Sequence, residues 1–301
     1  MIDRRLQVLR VVAARGTVTA AAESLSYTPS AVSYQLRSLS RELGMPLLEQ
    51  HGRGVRLTPA ARLLVKRSDE LYERWEQIRA ELASAEPAQV GTLRLCGFST
   101  AASALLPRVA ERVTAAHPLA SVRIIEADPE ECFDLLLADR ADLAVVVATS
   151  ALPSVDDPRF DQRALLDDPL DLLVPEDHPL ARRHSALLSE AATEPWIMDR
   201  PGRPYHHLVL AACSAAGFTP RIAHEAVEWE TGAALVDAGF GVSLVPQLAH
   251  LPSGYRIVRV PLRGEPAPAR RILTGVRRGA RKQPSIATAL TALEELAAER
   301  R

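Results

Sequence analysis

The stretch TVTAAAESLSYTPSAVSYQLRSLSREL, residues 17–43, decides the fold of the amino-terminal part of the chain. Its alanine-rich first half offers the small apolar surface that lets another helix approach closely. The helical pattern stops at Ser26 and starts again at once, because Thr28 can cap a new helix and Pro29 can be its first residue. Gly44 then provides a natural end. The stretch predicts two helices joined by a tight turn, as in a helix-turn-helix.

A helix is also predicted immediately upstream of this stretch. Leu6, Leu9 and Val12 recur at helical spacing, and Gly16 is placed to end that helix. Either of the two threonines that follow the glycine can cap the next helix. The amino-terminal region therefore has three helices, of which the second is very short.

The third helix separates apolar from polar residues. The predicted buried stripe consists of Val32, Leu36, Leu39 and Leu43. The opposite side carries Ser30, Ser33, Tyr34, Arg37 and Arg41. Short hydroxyls at a helix amino terminus let the backbone approach phosphates and base edges, while Gln35 and Arg37 add longer donors. This pattern is typical of a major-groove recognition helix, although an ordinary capped surface helix would have the same pattern.

The following segment, LLEQHGRGVRLTP, favours the DNA-binding interpretation. It predicts short strands at 47–50 and 55–57 around a glycine-flanked turn, with arginines at the tip and on the return strand. The helices, YTPSAVSYQLRSL, LG, the small basic wing and LTP together resemble the winged helix-turn-helix of LysR-type transcriptional regulators. The resemblance covers residues 1–66 here, and as a set these motifs are highly specific.

The resemblance implies which residues contact DNA. On the helix they are Thr28, Pro29, Ser30, Ser33, Tyr34 and Arg37, joined by Gln35 from its position, and on the wing they are Arg53 and Arg56. The chain departs from the family at Leu48 and Gln50, where a Phe and an Arg are common, at Ser40, where a Glu is common, and after Ala60, where a Gly is common. Because Gln50 stands where the family commonly has an arginine, one phosphate contact would be lost. This loss would lower the affinity for DNA more than it would change the register of the protein on the DNA.

A long helix is predicted from Pro59, which Thr58 can cap, to about Ser84, because no glycine or proline interrupts this segment. A seam with heptad spacing and one polar interruption at Ser68 runs along it. The apolar members of the seam are Leu64, Leu71, Trp75, Ile78 and Leu82. A second copy could cover this stripe, which predicts a homodimer, as the family's dimerising linker helix also implies. The alternative is that the stripe packs on the chain's own carboxyl-terminal domain.

The remaining two-thirds of the chain alternates strands and helices, which predicts parallel sheets covered by helices. The first region has strands at 92–96, 122–126 and 143–147 and helices at about 102–116 and 129–138. The second has strands near 170–174, 196–198, 221–225 and 242–245 and helices near 206–216 and 231–238, and the tail adds a strand at 271–276 and a helix at 285–298. These two α/β halves, and LVDAGFGVSLVP at 235–246 in particular, resemble the periplasmic-binding-protein-like effector domain of the same family.

Ligands of open α/β sheets bind beyond the carboxyl ends of the strands. The residues at predicted strand ends are Ser99, Thr100, Ser103, Val147, Ala148, Thr149, Arg200, Arg203, Tyr205, Glu228 and Thr231. We expect them to face one cleft between the halves. The two arginines weakly favour an anionic effector, and Ser99 and Thr100 could equally be helix caps.

Composition and charge set limits on function. The 301 residues have a formal net charge of −1, but residues 1–67 hold eleven Lys and Arg against four Asp and Glu, while the rest holds 25 against 33. A basic unit (+7) joined to an acidic one (−8) suits a DNA-binding domain coupled to a second domain.

The three cysteines are expected to be buried and without a metal, and adjacent histidines at 206 and 207 do not share a helix face. No nucleophile elbow, phosphate-binding loop or metalloprotease motif is present, so we expect neither an enzyme nor a cofactor.

No export signal or membrane span is apparent, which predicts a cytoplasmic location, and the family resemblance implies a bacterial regulator. Its predicted domains are a winged helix-turn-helix at 1–58, a linker helix and hinge at 59–89 and an effector-binding domain at 90–301. Within the last, subdomain I takes about 90–160 and 268–301, and subdomain II about 161–267. Its fold class is α/β overall, with an all-α amino-terminal domain.

The expected partners are an inverted-repeat promoter site, a small-molecule effector and further copies of the chain. The family resemblance implies a dimer of dimers and leaves contact with RNA polymerase open. Two other functions stay open: a constitutive DNA-binding regulator with a vestigial cleft, and a solute-binding or enzymatic α/β domain with an accessory basic unit.

Overall fold

The computed structural model describes residues 2–51, 54–85, 91–264 and 267–300. The helices are α1 (Arg4–Arg15), α2 (Val18–Leu25), α3 (Pro29–Leu43), α4 (Pro59–Ala85), α5 (Ser99–Ala104), α6 (Leu106–Ala116), α7 (Pro129–Leu137), α8 (Pro204–Ala215), α9 (Trp229–Asp237) and α10 (Pro284–Ala298). The strands are β1 (Leu48–His51), β2 (Gly54–Leu57), β3 (Thr92–Gly97), β4 (Ser121–Glu126), β5 (Leu143–Val147), β6 (Phe160–Pro175), β7 (Pro195–Met198), β8 (Arg221–Glu225), β9 (Ser243–Pro246), β10 (Ile257–Pro261) and β11 (Ala269–Arg277).

The three amino-terminal helices begin and end at the residues that the sequence indicates. Gly16 ends α1 in a left-handed conformation. Thr17, rather than the second threonine, caps α2, and its side chain accepts a hydrogen bond from the Ala20 backbone N–H at 3.1 Å. The turn to α3 passes through Ser26, a non-glycine residue with φ of +55°. The strands β1 and β2 then pair antiparallel, as predicted for the wing.

The chain forms two compact units. Unit 1 comprises Met1–Val146, Ser150–Leu165 and Leu273–Arg301, and unit 2 comprises Val147–Thr149 and Leu166–Ile272. In unit 1, β3 pairs in parallel with β4 and β5, as the alternating pattern predicts. The amino-terminal helices belong to this unit, and their buried residues join those of α7 in one hydrophobic cluster.

Unit 2 has its own core around the fully buried Trp196. The strands β7 and β8 are parallel, whereas β9 and β10 pair antiparallel with β6. The glycine turn in GFG brings Gly241 against the backbone of β7: a Cβ at this position would lie 2.2 Å from the carbonyl O of Pro195. The predicted turn therefore has a structural cause, a close backbone approach that requires glycine.

Several details differ from the sequence-based expectations. The helix predicted at 102–116 is two helices, because the backbone breaks at Leu105 and Pro107 lacks the N–H that a continuous helix would use. The strand predicted near 170–174 is the sixteen-residue β6, and β10 is a strand that the sequence pattern did not predict. Leu43, assigned to the buried stripe, is 40% exposed because it lies at the end of α3, where the helix leaves the core.

Candidate DNA-binding and effector-binding surfaces

The orientation of α3 is fixed from its buried side. Val32 and Leu36 are buried in the helix-turn-helix core with Leu39. At the amino terminus, the Thr28 side chain accepts a hydrogen bond from the Ala31 backbone N–H at 3.2 Å. Since buried residues three and four positions apart define one helix face, the polar residues between them must face outward.

The outward face of α3 contains the residues that the sequence assigned to DNA. Thr28, Pro29, Ser30, Tyr34 and Arg37 are exposed, and Ser33 and Gln35 are half-buried. Tyr34 is 62% exposed, although tyrosine residues are usually at least partly buried. This face thus combines hydroxyls, an amide, a guanidinium and the open amino terminus of a helix, which are donors for phosphates and base edges.

The wing contributes a second basic position. Arg56 on β2 is exposed and forms an ion pair with Glu49 on β1, with Nη2 and Oε1 2.8 Å apart. An exposed pair of this kind is weak and can exchange its carboxylate for a phosphate. Arg53 lies outside the described residues.

The first group of predicted effector residues lies in unit 1 at the start of α5. Ser99 and Ser103 are exposed, whereas Thr100 is only 2% exposed. Neither Ser99 nor Thr100 caps the helix, because the N-cap position is Phe98, without a side-chain hydrogen bond. The Ser103 hydroxyl is 3.0 Å from the Ser99 carbonyl O and donates within its own helix.

The second group lies in unit 2. Ala148, Arg200, Arg203, Glu228 and Thr231 are exposed, and Val147, Thr149 and Tyr205 are half-buried. The charge of Arg203 is partly neutralised, because its Nε lies 2.9 Å from Oδ2 of the buried Asp199. This ion pair weakens the sequence-based argument for an anionic effector.

The Tyr205 hydroxyl is already used within the protein, so this residue supports its neighbours more than it offers a group to an effector. Its O–H donates to the Leu244 carbonyl at 3.0 Å, burial raises its pKa, and its ring packs edge-on against Trp229 at 4.9 Å. Both aromatic residues line a cavity of about 20 Å³ together with Asp199 and Glu228. That volume is close to the space of one water molecule. Unit 2 alone therefore does not enclose an effector-sized site at this place.

The comparisons with known proteins decide the family. The family model "LysR substrate binding domain" matches residues 86–298, and "Bacterial regulatory helix-turn-helix protein, lysR family" matches residues 4–62. The chain belongs to the LysR family of bacterial transcriptional regulators. Members of this family bind DNA and small-molecule effectors and form oligomers, so the function is regulation of transcription rather than catalysis.

Individual LysR-family proteins align over most of their length. The transcriptional regulator CysB of Haemophilus influenzae is 28% identical over 250 residues, which cover 81% of this chain and 74% of that protein. The hydrogen peroxide-inducible genes activator of Dickeya chrysanthemi is 27% identical over 246 residues, 82% of this chain and 79% of that protein. Full-length OxyR C199D from Pseudomonas aeruginosa has the same fold, with a TM-score of 0.67, 22% identity and coverage of 97% and 94%.

One charged cluster of this LysR-family chain was not found by sequence reasoning. Glu76 on α4 is 3% exposed, and its Oε1 accepts a hydrogen bond from Nε of Arg277 at 2.8 Å. Arg277 is also buried and donates to Asp142 Oδ1 at 2.9 Å, and Asp142 in turn binds Arg94. Only spatial proximity joins these four residues, which are distant in sequence. The cluster anchors α4 to the rest of unit 1.

Other residue types give less information. The three cysteines are free and buried, as predicted. His206 is buried with Nδ1 2.7 Å from the Asp199 carbonyl O, and His207 is exposed. Among the described residues, no group of His, Cys, Asp and Glu is arranged to hold a metal ion. Within the residues that the structure describes, no helix has the length and apolar character needed to cross a membrane.

Proposed function

We propose that this regulator binds a promoter inverted repeat as a homodimer or dimer of dimers, and that a small-molecule effector changes that binding. The exposed polar face of α3 carries the proposal, because its buried opposite side leaves no other orientation for the donors. In this proposal, residues 1–58 bind DNA, 59–89 link and dimerise, and 90–301 bind the effector. The site of action is the chromosome in the bacterial cytoplasm, where contact with RNA polymerase would follow from promoter binding.

DNA recognition is assigned to Thr28, Pro29, Ser30, Ser33, Tyr34, Gln35 and Arg37 on the helix and to Arg53 and Arg56 on the wing. The long donors Gln35 and Arg37 suit base edges, whereas hydroxyls at the helix amino terminus suit phosphates. A dimer would place two copies of α3 in successive major grooves, about 34 Å apart. Two members of the predicted seam, Leu71 and Leu82 on α4, are exposed in one copy and support such a dimer, whereas Leu64, Trp75 and Ile78 are half-buried.

The experiment is selection of genomic DNA fragments by the purified full chain, followed by anisotropy titration with the selected fragment. Arg37→Ala should weaken binding by about 1–3 kcal/mol if Arg37 reads a base. If Arg37 contacts only a phosphate, the slope of log K against log salt should fall by about 0.9. The control Arg67→Ala removes an equally charged side chain from an exposed pair with Glu70 on α4. Equal binding by the Arg37 variant and the wild type would contradict the assignment.

Effector binding is assigned to the accessible strand-end residues of each unit. These are Ser99 and Ser103 of unit 1 and Val147, Ala148, Thr149, Arg200, Arg203, Glu228 and Thr231 of unit 2, with Tyr205 as support. A panel of small metabolites, tested by the melting temperature of the full chain, should contain a stabilising ligand, because a ligand of the folded state raises stability. Loss of that stabilisation in Glu228→Gln would locate the ligand. No stabilising ligand in a broad panel would favour the constitutive DNA-binding alternative.

A further inference from the structure

The helix α7 of the regulatory part contacts the helix-turn-helix of the same chain at two polar points. Asp134 on α7 forms an ion pair with Arg15 at the end of α1, with Oδ2 and Nη1 3.1 Å apart. Just beyond α7, the guanidinium of Arg140 donates from Nη1 to Ser26 Oγ at 2.9 Å and to the Ser24 carbonyl O at 3.3 Å. We refer to these two contacts, Arg15–Asp134 and Arg140 with Ser24 and Ser26, as the α7 clamp.

The clamp acts on the turn that directs α3. Ser26 ends α2 in a left-handed conformation, which is costly for a residue with a Cβ, and Thr28 starts the recognition helix two residues later. Hydrogen bonds from a charged donor are stronger than neutral ones. Arg140 therefore stabilises the strained turn from outside the three amino-terminal helices, two residues before the cap of α3.

The other end of α7 lies at the ligand edge of the unit 1 sheet. The strands β3 and β4 are parallel and end at Gly97 and Glu126, and the Ala127 backbone N–H donates to the Gly97 carbonyl. The helix α7 begins immediately afterwards at Pro129. Ser99, one of the proposed effector-binding residues, follows β3 at this same edge. The nine residues of α7 span about 14 Å and therefore connect this edge with the clamp.

The contact between α7 and the DNA-binding helices is partly packed. The apolar residues of both belong to one hydrophobic cluster, and a cleft of about 250 Å³ that is open to solvent lies beside Ala14, Arg15, Phe133 and Asp134. Solvent therefore reaches the edge of this contact. A contact with two polar anchors at a solvent-exposed edge can open at lower cost than a domain core, which suits an element with a docked and a released state.

We propose that α7 transmits effector binding to the recognition helix, with Arg140 and Asp134 as positioning residues. The inference rests on the proposed function, since it joins the two surfaces assigned there. An effector that displaces the start of α7 shifts the clamp, and the turn at Ser26 then redirects α3. Coupling between two binding sites is reciprocal, so a path that carries effector binding to α3 also carries DNA binding back to the start of α7. This reciprocity allows a test that needs no identified effector.

The test is hydrogen exchange of the full chain with and without the DNA fragment selected above. In the wild type, DNA should change exchange rates in residues 127–138 by about fivefold or more, the lower end of typical couplings. Arg140→Ala and Asp134→Ala should lose this change and still bind the fragment, whereas Arg140→Lys, which keeps a charged donor, should restore it. The control Arg163→Ala removes an exposed arginine paired with Asp161 at 3.3 Å and should behave as the wild type.

The outcomes separate the two proposals. If DNA changed the exchange rates of residues 127–138 in Arg140→Ala as much as in the wild type, the inference would be overturned. The inference would also be overturned if the wild type gave a discrete footprint while exchange at residues 127–138 stayed unchanged. Failure to select any discrete fragment would instead contradict the proposed function. Circular dichroism and melting temperature of each variant show whether it folds, and the two single variants act on different anchors of the clamp.

Discussion

Replacement of Glu76 by alanine should loosen α4 from the rest of unit 1. Glu76 is 3% exposed, and its carboxylate accepts hydrogen bonds from Arg277 and from the Gln283 side chain. Removal of one partner from a buried ion pair costs about 3–5 kcal/mol, because the other charge stays buried. Arg277 would keep its ion pair with Asp142, in which Nη2 and Oδ1 are 2.9 Å apart. We therefore expect a cost at the lower end of that range, about 3 kcal/mol.

Hydrogen exchange of peptides from α4 measures this loss directly, whereas a single unfolding free energy is poorly defined for a chain with two units. A loss of about 3 kcal/mol corresponds to roughly 100-fold faster exchange where opening of this contact limits the rate. The matched control is Glu70→Ala on the same helix, whose exposed pair with Arg67 is worth less than about 1 kcal/mol. Exchange in Glu76→Ala as slow as in Glu70→Ala would refute the argument that this cluster anchors α4.

Three further predictions follow from the same unit. Burial opposes ionisation of Asp142, but Arg94 and Arg277 outweigh it and lower its pKa to about 2. Its contribution of about 2 kcal/mol should be present above the usual carboxyl pKa near 4 and disappear as the pH falls toward 2. The difference in hydrogen-exchange protection of unit 1 between wild type and Asp142→Asn, compared at equal pH, should therefore shrink over that range. Gly279→Ala should lower the melting temperature, because φ is +87° and the new Cβ would lie 2.5 Å from the α4 backbone; an unchanged melting temperature would contradict this contact. Leu71→Asp should convert the proposed dimer to a monomer in light scattering, whereas Val155→Asp, at a more exposed apolar residue in a turn outside α4, should stay dimeric.

Local signals predicted the amino-terminal helices closely because each boundary depends on a nearby residue. Thr17, Thr28 and Thr58 cap helices, and Gly16 and Gly44 end them, so the relevant hydrogen bonds form within a few residues. The alternation of strands and helices in the regulatory part is equally local, since it follows from the periodicity of apolar residues. The wing and the exposed face of α3 were predicted for the same reason.

Non-local contacts could not be predicted from one sequence. Glu76 appeared as one of several charges flanking the seam of α4, yet it is buried because Arg277, two hundred residues later, reaches it. Arg140 lies in a short turn without any motif, and its contact with Ser26 depends on how α7 packs against α2. Trp229, next to the predicted Glu228, could have been noticed as an aromatic residue at a strand end, although its contact with Tyr205 could not.

The central claim is that a small molecule bound by the regulatory part changes how α3 contacts a promoter. The most direct measurement is a footprint of the full chain on its selected fragment, with and without the ligand that raises its melting temperature. The account predicts two protected half-sites about one helical turn apart, with a protection pattern and transcription rate that change when the ligand is added. A ligand that binds the protein but leaves both footprint and transcription unchanged would contradict it.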